Sequence, residues 1–173
     1  MNTLQEATVE VNDHPCRVWQ KGAGETLGYI PGYAGLPRWT TFLDELATSR
    51  CVVAPSLPGF PGGNGHADLD TSLDWIIATR DLLEAAGLNG ADIVASGFGA
   101  ALVADVAALW PGSVRKLILI APFGICWDDP PLADIWAPRP GPVESMLVNN
   151  PERFRQFVEL PADGDPVEWP IML

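Results

Sequence analysis

Positive charge and histidine are scarce in this chain. Its 173 residues hold 10 Lys+Arg against 22 Asp+Glu, a formal net charge of −12, and the only histidines are His14 and His66. An acidic surface repels phosphate backbones and anionic lipid headgroups, and the basic residues are scattered, so no nucleic-acid partner and no membrane partner is expected. Cysteine is sparse as well: Cys16, Cys51 and Cys126 are odd in number and show no CxxC or Cys/His spacing. That pattern argues against a disulfide framework and a zinc site, and neither a metal nor another cofactor is expected. No run reaches the ~18 apolar residues of a membrane helix, and Met1–Glu6 lacks a basic region followed by an apolar stretch. The expectation is a cytoplasmic protein with one domain's length of chain.

What the chain does have is apolar material. Hydrophobic residues make up 47% and charged residues 18%, which suits a packed core rather than a disordered segment. Val9 and Val11, an Asn12-Asp13 turn, then Cys16 and Val18 alternating with Arg17 and Trp19, predict a β-hairpin. Thr26 to Ile30 and Cys51 to Pro55 read as strands. Between them Trp39, Phe42, Leu43 and Leu46 fall at helical spacing, which predicts one apolar helix face. The stretch from Ser56 to Asp70 is dense in Pro and Gly and reads as a loop. A helix capped by Thr71 or Ser72 should then turn Leu73, Ile76, Ile77 and Leu83 to one side and stop at Gly87.

Asp92 to Ala95 is a short strand, and Phe98 to Trp110 a helix of Ala, Val and Leu expected to be buried nearly all round. Lys116 to Ala121 reads as a continuous apolar strand. Strand and helix alternate, so the fold class is α/β, with a mainly parallel sheet behind an N-terminal antiparallel hairpin. Beyond Pro122 prolines crowd the chain, and Met146 to Leu160 has the character of one or two short helices. The organisation is thus a core over 1–122 and a Pro-rich segment over 123–173.

Ligands of open α/β sheets bind at the carboxyl ends of strands. There, Ile93-Val94-Ala95-Ser96-Gly97-Phe98-Gly99-Ala100-Ala101 joins a strand to a helix through a sharp turn of small residues. This run resembles the nucleophile elbow of the α/β-hydrolase superfamily, G-x-S-x-G, with Ala95 at the first glycine and Gly97 at the serine. Pro31-Gly32-Tyr33 resembles that family's oxyanion loop, Ser56-Leu57-Pro58-Gly59-Phe60 its Asp-x-Pro-Gly-x loop, and Trp110 to Leu117 its link from the elbow helix to the next strand. The resemblance covers about Val9 to Pro122, with the prolyl tail similar to the start of a cap insertion. It implies an oxyanion and substrate-binding site at the backbone of Tyr33 and Phe98 beside Gly32. It also implies a sheet that lacks its last two strands and an esterase-type, carboxylic-ester hydrolase ancestry.

The chemistry of that family needs a nucleophile, a histidine and an acid in the order Ser, Asp or Glu, His. Gly97 has no side chain, and no histidine follows the elbow as far as Leu173. The expectation is therefore an incomplete triad and a pseudoenzyme-like chain, inactive by itself. Ser96 is the one substitute nucleophile, and its side chain should point away from the hole. Glycine at 97 has a plain structural reason, since it adopts a strained elbow without a Cβ clash. His66, in the loop, and His14, after the hairpin turn, read as solvated. Asp128 and Asp129 stand where some relatives place the acid, but an acidic pair before Pro130-Pro131 reads as a turn. Trp127, Trp136 and Trp169 read as cover over core.

Gly97-Phe98-Gly99 also invites a dinucleotide fingerprint, which would need glycine at Leu102, or at Ala95 and Ala100 in the shifted register, and an acid at the end of the next strand; that strand ends in Ala121-Pro122, so the reading fails. Three functions stay open: part of an esterase-like hydrolase, a non-catalytic binder of a small ester or carbonyl compound or of a protein partner, and a truncated product without function of its own. In the family's strand order Leu117 to Ile120 becomes a bare edge. The expectation there is self-association, pairing with a completing chain, or cover from the segment Trp127 to Leu173.

Overall fold

The computed structural model describes residues 3–124 and 148–158. Two compact units separate in it, one running to Phe123 and the other beginning at Gly124. The first unit is a six-stranded sheet in the order β1-β2-β4-β3-β5-β6. Strands β1 (Gln5–Val11) and β2 (His14–Gly22) form the expected hairpin, closed by Asn12 and Asp13 at φ 51 and 63. Two successive left-handed residues are what a tight turn between twisted strands requires. Strand β2 also pairs antiparallel with β4 (Cys51–Pro55). Strand β3 (Thr26–Ile30) lies parallel between β4 and β5 (Ala91–Ser96), and β5 pairs in parallel with β6 (Val114–Ile120). The α/β class, mainly parallel with an antiparallel hairpin, is as expected.

Helix α1 (Thr41–Ala47) covers one face with Leu43 and Ala47 against Trp19, Leu36, Val52 and Ala54. Of the expected stripe, Leu43 is buried and Trp39 and Leu46 pack against the same cluster, Trp39 from just before the Thr40 cap, while Phe42 is 46% exposed. Helices α2 (Ser72–Ala85) and α3 (Gly97–Leu109) cover the other face. Thr71 caps α2, with a reciprocal capping box to Asp74. The helix ends as expected at Gly87: Gly87 N donates to Glu84 O at 3.0 Å and Leu88 N to Leu83 O at 2.8 Å, with Gly87 at φ 70. Those two bonds satisfy carbonyls the helix would otherwise leave open.

Two expected faces are corrected. In α2 the buried stripe is Ala78, Thr79, Leu82 and Leu83 while Leu73 and Ile77 face solvent. Small residues won the sheet-facing positions because they let the helix approach closely, and Thr79 satisfies its hydroxyl on Trp75 O. Helix α3 is buried on one side only, through Gly99, Ala100, Leu102, Val103 and Val106, with Asp105, Ala108 and Leu109 outside. Composition hid that side because nearly every α3 residue is apolar. In the second unit Pro151–Val158 forms α4, started by Arg153 N donating to Asn150 Oδ1 at 2.9 Å. Among the described residues no helix is long and apolar enough to cross a membrane.

Candidate functional site at the carboxyl ends of two central strands

The chain runs from β3 out to β4 on one side and then back across β3 to β5 on the other. The sheet therefore reverses direction between β3 and β5, the place where open α/β sheets leave a crevice. Ile30 and Ala95 are partners across that junction, so the loops that follow, at Pro31 and at Ser96, start side by side. The sequence elements singled out for chemistry meet here.

Glycine lets them touch. A Cβ on Gly99 would stand 2.3 Å from Pro31 O and 2.7 Å from Ile30 Cγ2, so the first turn of α3 can lie on the β3 exit only without a side chain there. A Cβ on Gly32 would stand 3.2 Å from Ser96 O. Gly97 sits at φ 49, in the left-handed region, directly after Ser96 in extended backbone at φ −125 and ψ 150. That abrupt change of conformation is the elbow, and it is strained for any residue with a Cβ. Ala95, at the motif's first position, is completely buried.

A side chain at 97 would leave the backbone towards Gly32 Cα at 3.3 Å, Tyr33 N at 3.6 Å and Phe123 Cε2 at 3.7 Å. The N–H of Tyr33 donates to no acceptor among the described residues. Neither does that of Phe98, which lies in the first turn of α3, where helix geometry supplies no partner. Two donors without a partner among the described residues thus flank position 97, at the positive end of a helix. The Phe98 ring is fixed by stacking on Phe60, centroids 6.0 Å apart, and by an edge contact with Trp75 at 5.6 Å. Gly97 O accepts from Phe123 N at 3.1 Å, which ties the segment after β6 to the elbow.

The Ser96 Oγ lies 3.5 Å from the Tyr29 hydroxyl, makes no cap bond to α3, and would stand 3.3 Å from a Cβ on Gly32. His14 pairs with Asp68 at 2.7 Å in an exposed contact. His66 packs against the Gly59 backbone, where a Cβ would come within 2.6 Å of its own. Asp128, Asp129, Trp127, Trp136 and Trp169 lie outside the described residues. Among the described residues no three His, Cys, Asp or Glu gather as a metal site. Sequence reasoning passed over Phe123, whose ring closes one side of position 97, and Arg17, whose side chain gathers the loops behind it. The available signal for Arg17 was a cation placed two residues before Trp19, on the same face of a strand.

The sequence profile described as the alpha/beta hydrolase family matches residues 29–172. Over 109 residues the chain is 33% identical to a 2-hydroxymuconate semialdehyde hydrolase of a Pseudomonas species, covering 60% of this chain and 38% of that one. Over 112 residues it is 30% identical to a 2-hydroxy-6-oxo-2,4-heptadienoate hydrolase of Pseudomonas putida, covering 62% and 41%. The chain thus spans about two fifths of the length of these relatives. A 2-hydroxy-6-oxo-6-phenylhexa-2,4-dienoate hydrolase from a Rhodococcus species shares its fold at a TM-score of 0.57 and 19% identity, covering 72% of this chain and 48% of that one. Elbow, strand order and profile agree: the chain belongs to the alpha/beta hydrolase family.

Proposed function

We propose that this chain binds the oxygen of a small carbonyl compound, an ester or a hydroxy-oxo acid, at the N–H groups of Tyr33 and Phe98. The observation that carries the reading is the pair of unpaired donors flanking a position whose side-chain direction leads to Tyr33 N. Two such donors stabilise a partly negative oxygen, as in an oxyanion hole. The names of the relatives support the ligand class, since their substrates carry hydroxy and oxo groups.

Binding at this site does not extend to acyl transfer by the residues present. Attack on the carbonyl carbon needs an oxygen where Gly97 has only hydrogen, and a base to take its proton. Ser96 Oγ has the Tyr29 hydroxyl at 3.5 Å and no histidine beside it, and both histidines are engaged in other contacts. The test is a titration of the labelled chain with 4-nitrophenyl acetate and with a 2-hydroxy-6-oxo-dienoate, followed by amide NMR and by product absorbance. Saturable shifts at Tyr33 and Phe98 with no hydrolysis above buffer are expected; an unchanged Tyr33 amide at millimolar ligand overturns the reading.

A second reading follows from the chain's short span of its relatives: the same site serves a hydrolase completed by a further segment. Gly97→Ser together with a supplied C-terminal half should then hydrolyse the ester. Absence of turnover in that reconstituted variant excludes it.

A further inference from the structure

Arg17 on β2 makes three side-chain hydrogen bonds and a ring contact, all to residues remote in the chain or on its own strand. Its guanidinium lies 3.6 Å from the centroid of the Trp19 ring, and its Nη2 donates to Leu36 O at 2.5 Å, Pro61 O at 2.9 Å and Ser56 Oγ at 3.2 Å. The backbone of the same residue adds two bonds, Arg17 N to Gly62 O at 2.7 Å and Ser56 N to Arg17 O at 2.8 Å. Gly62 makes room for the group: a Cβ there would stand 2.7 Å from Arg17 Cζ. Burial pulls the guanidinium below its ordinary pKa, and its Nε is buried without a partner. A cation placed at such cost is held for what it joins.

What it joins are the two loops behind the candidate site. Leu36 directly follows the turn closed by Gly35 N to Gly32 O at 2.9 Å, and that turn carries Tyr33. Pro61 directly follows Phe60, the ring stacked on Phe98. The loops also touch each other at Gly35, where a Cβ would meet Pro61 Cδ at 2.7 Å and Phe60 Cβ at 3.1 Å. One side chain therefore reaches the turn that presents the first donor and the loop that braces the second.

We propose that Arg17 is a positioning residue that sets the Tyr33 and Phe98 N–H groups in mutual register by clamping the 32–36 turn to the 56–63 loop. The proposal rests on the carbonyl-binding reading for its use, but its first readout needs no ligand. Lysine at 17 keeps the charge and loses the flat stack and the fork, whereas methionine keeps only the stem. In ligand-free Arg17→Met and Arg17→Lys, heteronuclear NOE values should fall at Gly32–Gly35 and Phe98 resonances should shift, with Ile93 and Val94 on β5 unchanged. Ser56→Ala, which takes one acceptor from the guanidinium without a backbone change, should reproduce part of the pattern if Arg17→Met does not fold.

Where the wild-type chain binds 4-nitrophenyl acetate, its Kd should rise about tenfold in Arg17→Met, with Arg17→Lys recovering part of that loss, at a temperature well below unfolding. A merely structural arginine would lower the melting temperature and leave the affinity of the folded fraction and the NOE values at 32–35 unmoved. That result overturns the proposal. Failure of the wild type to bind any carbonyl probe removes the functional reading alone, because the ligand-free measurements still decide whether Arg17 orders the turn.

Discussion

Gly97 and Gly99 stand two residues apart, and they are glycine for different reasons. At Gly97 the backbone is left-handed and the space is nearly sufficient, the closest approach being 3.3 Å to Gly32 Cα. At Gly99 the limit is space alone, with Pro31 O 2.3 Å from where a Cβ would be. Gly97→Ser should therefore fold and lose about 1–2 kcal/mol, the cost of a left-handed L-residue. Gly99→Ala must push β3 and α3 apart and should lose at least the ~1–3 kcal/mol of an overpacked core. Urea unfolding of both variants checks the order; a Gly97→Ser loss larger than that of Gly99→Ala would contradict the steric account. Both glycines were legible in the sequence because a linear motif spans them. Arg17 was not, because its acceptors Leu36 O and Pro61 O lie 19 and 44 residues away along the chain, and only the assembled sheet brings them to one side chain.

Single elements were legible where the signal was local, and less so where packing chose between apolar faces. The Asn12-Asp13 turn, the bounds of β3 and β4 and both ends of α2 follow from neighbouring residues. The buried face of α2 depends on how near the sheet lies, which is why Ala78 and Thr79 displaced Leu73 and Ile77. The cap of α2 also has a pH signature. Hydrogen bonds from the Thr71 side chain, then from the Thr71 backbone, hold the Asp74 carboxyl below the ordinary range. Asp44 on α1 is lowered likewise by its bonds from Lys21 and then Trp39. A carboxyl depressed on folding contributes stability that is fully present above its unfolded pKa, about 3.9 for Asp, and is lost as pH falls through the folded value. The melting temperature should therefore drop below about pH 4, and Asp74→Ala should make that drop shallower while lowering stability at neutral pH. Circular dichroism melts between pH 6 and 2.5 decide; parallel curves for wild type and variant would assign the acid sensitivity to other groups.

For the molecule as a whole the consequential feature is the outer side of β6. Its inner side pairs with β5, and its register is continuous from Asp92 with Lys116 to Ser96 with Ile120. Among the described residues no strand pairs its other side. Ile118 and Ile120, two residues apart and so on one face, are 58% and 42% exposed. Open backbone groups beside exposed β-branched side chains form a template for another strand. This edge was legible through the order of strands the family resemblance implied, whereas its exposure required the packed sheet. The net charge of −12 opposes contact between copies at low ionic strength, where charges act over longer distances, and salt screens that repulsion. The expected behaviour is self-association that grows with protein concentration and with added salt, the reverse of what ion pairing between copies would give. Ile118→Lys places a charge on the edge and should restore the monomer without altering the β5 pairing. Sedimentation velocity at 20 and 500 mM salt reads both effects. A wild-type chain that stays monomeric across that range would show that the edge is not a pairing site, and association unaffected by Ile118→Lys would place the contact elsewhere on the molecule.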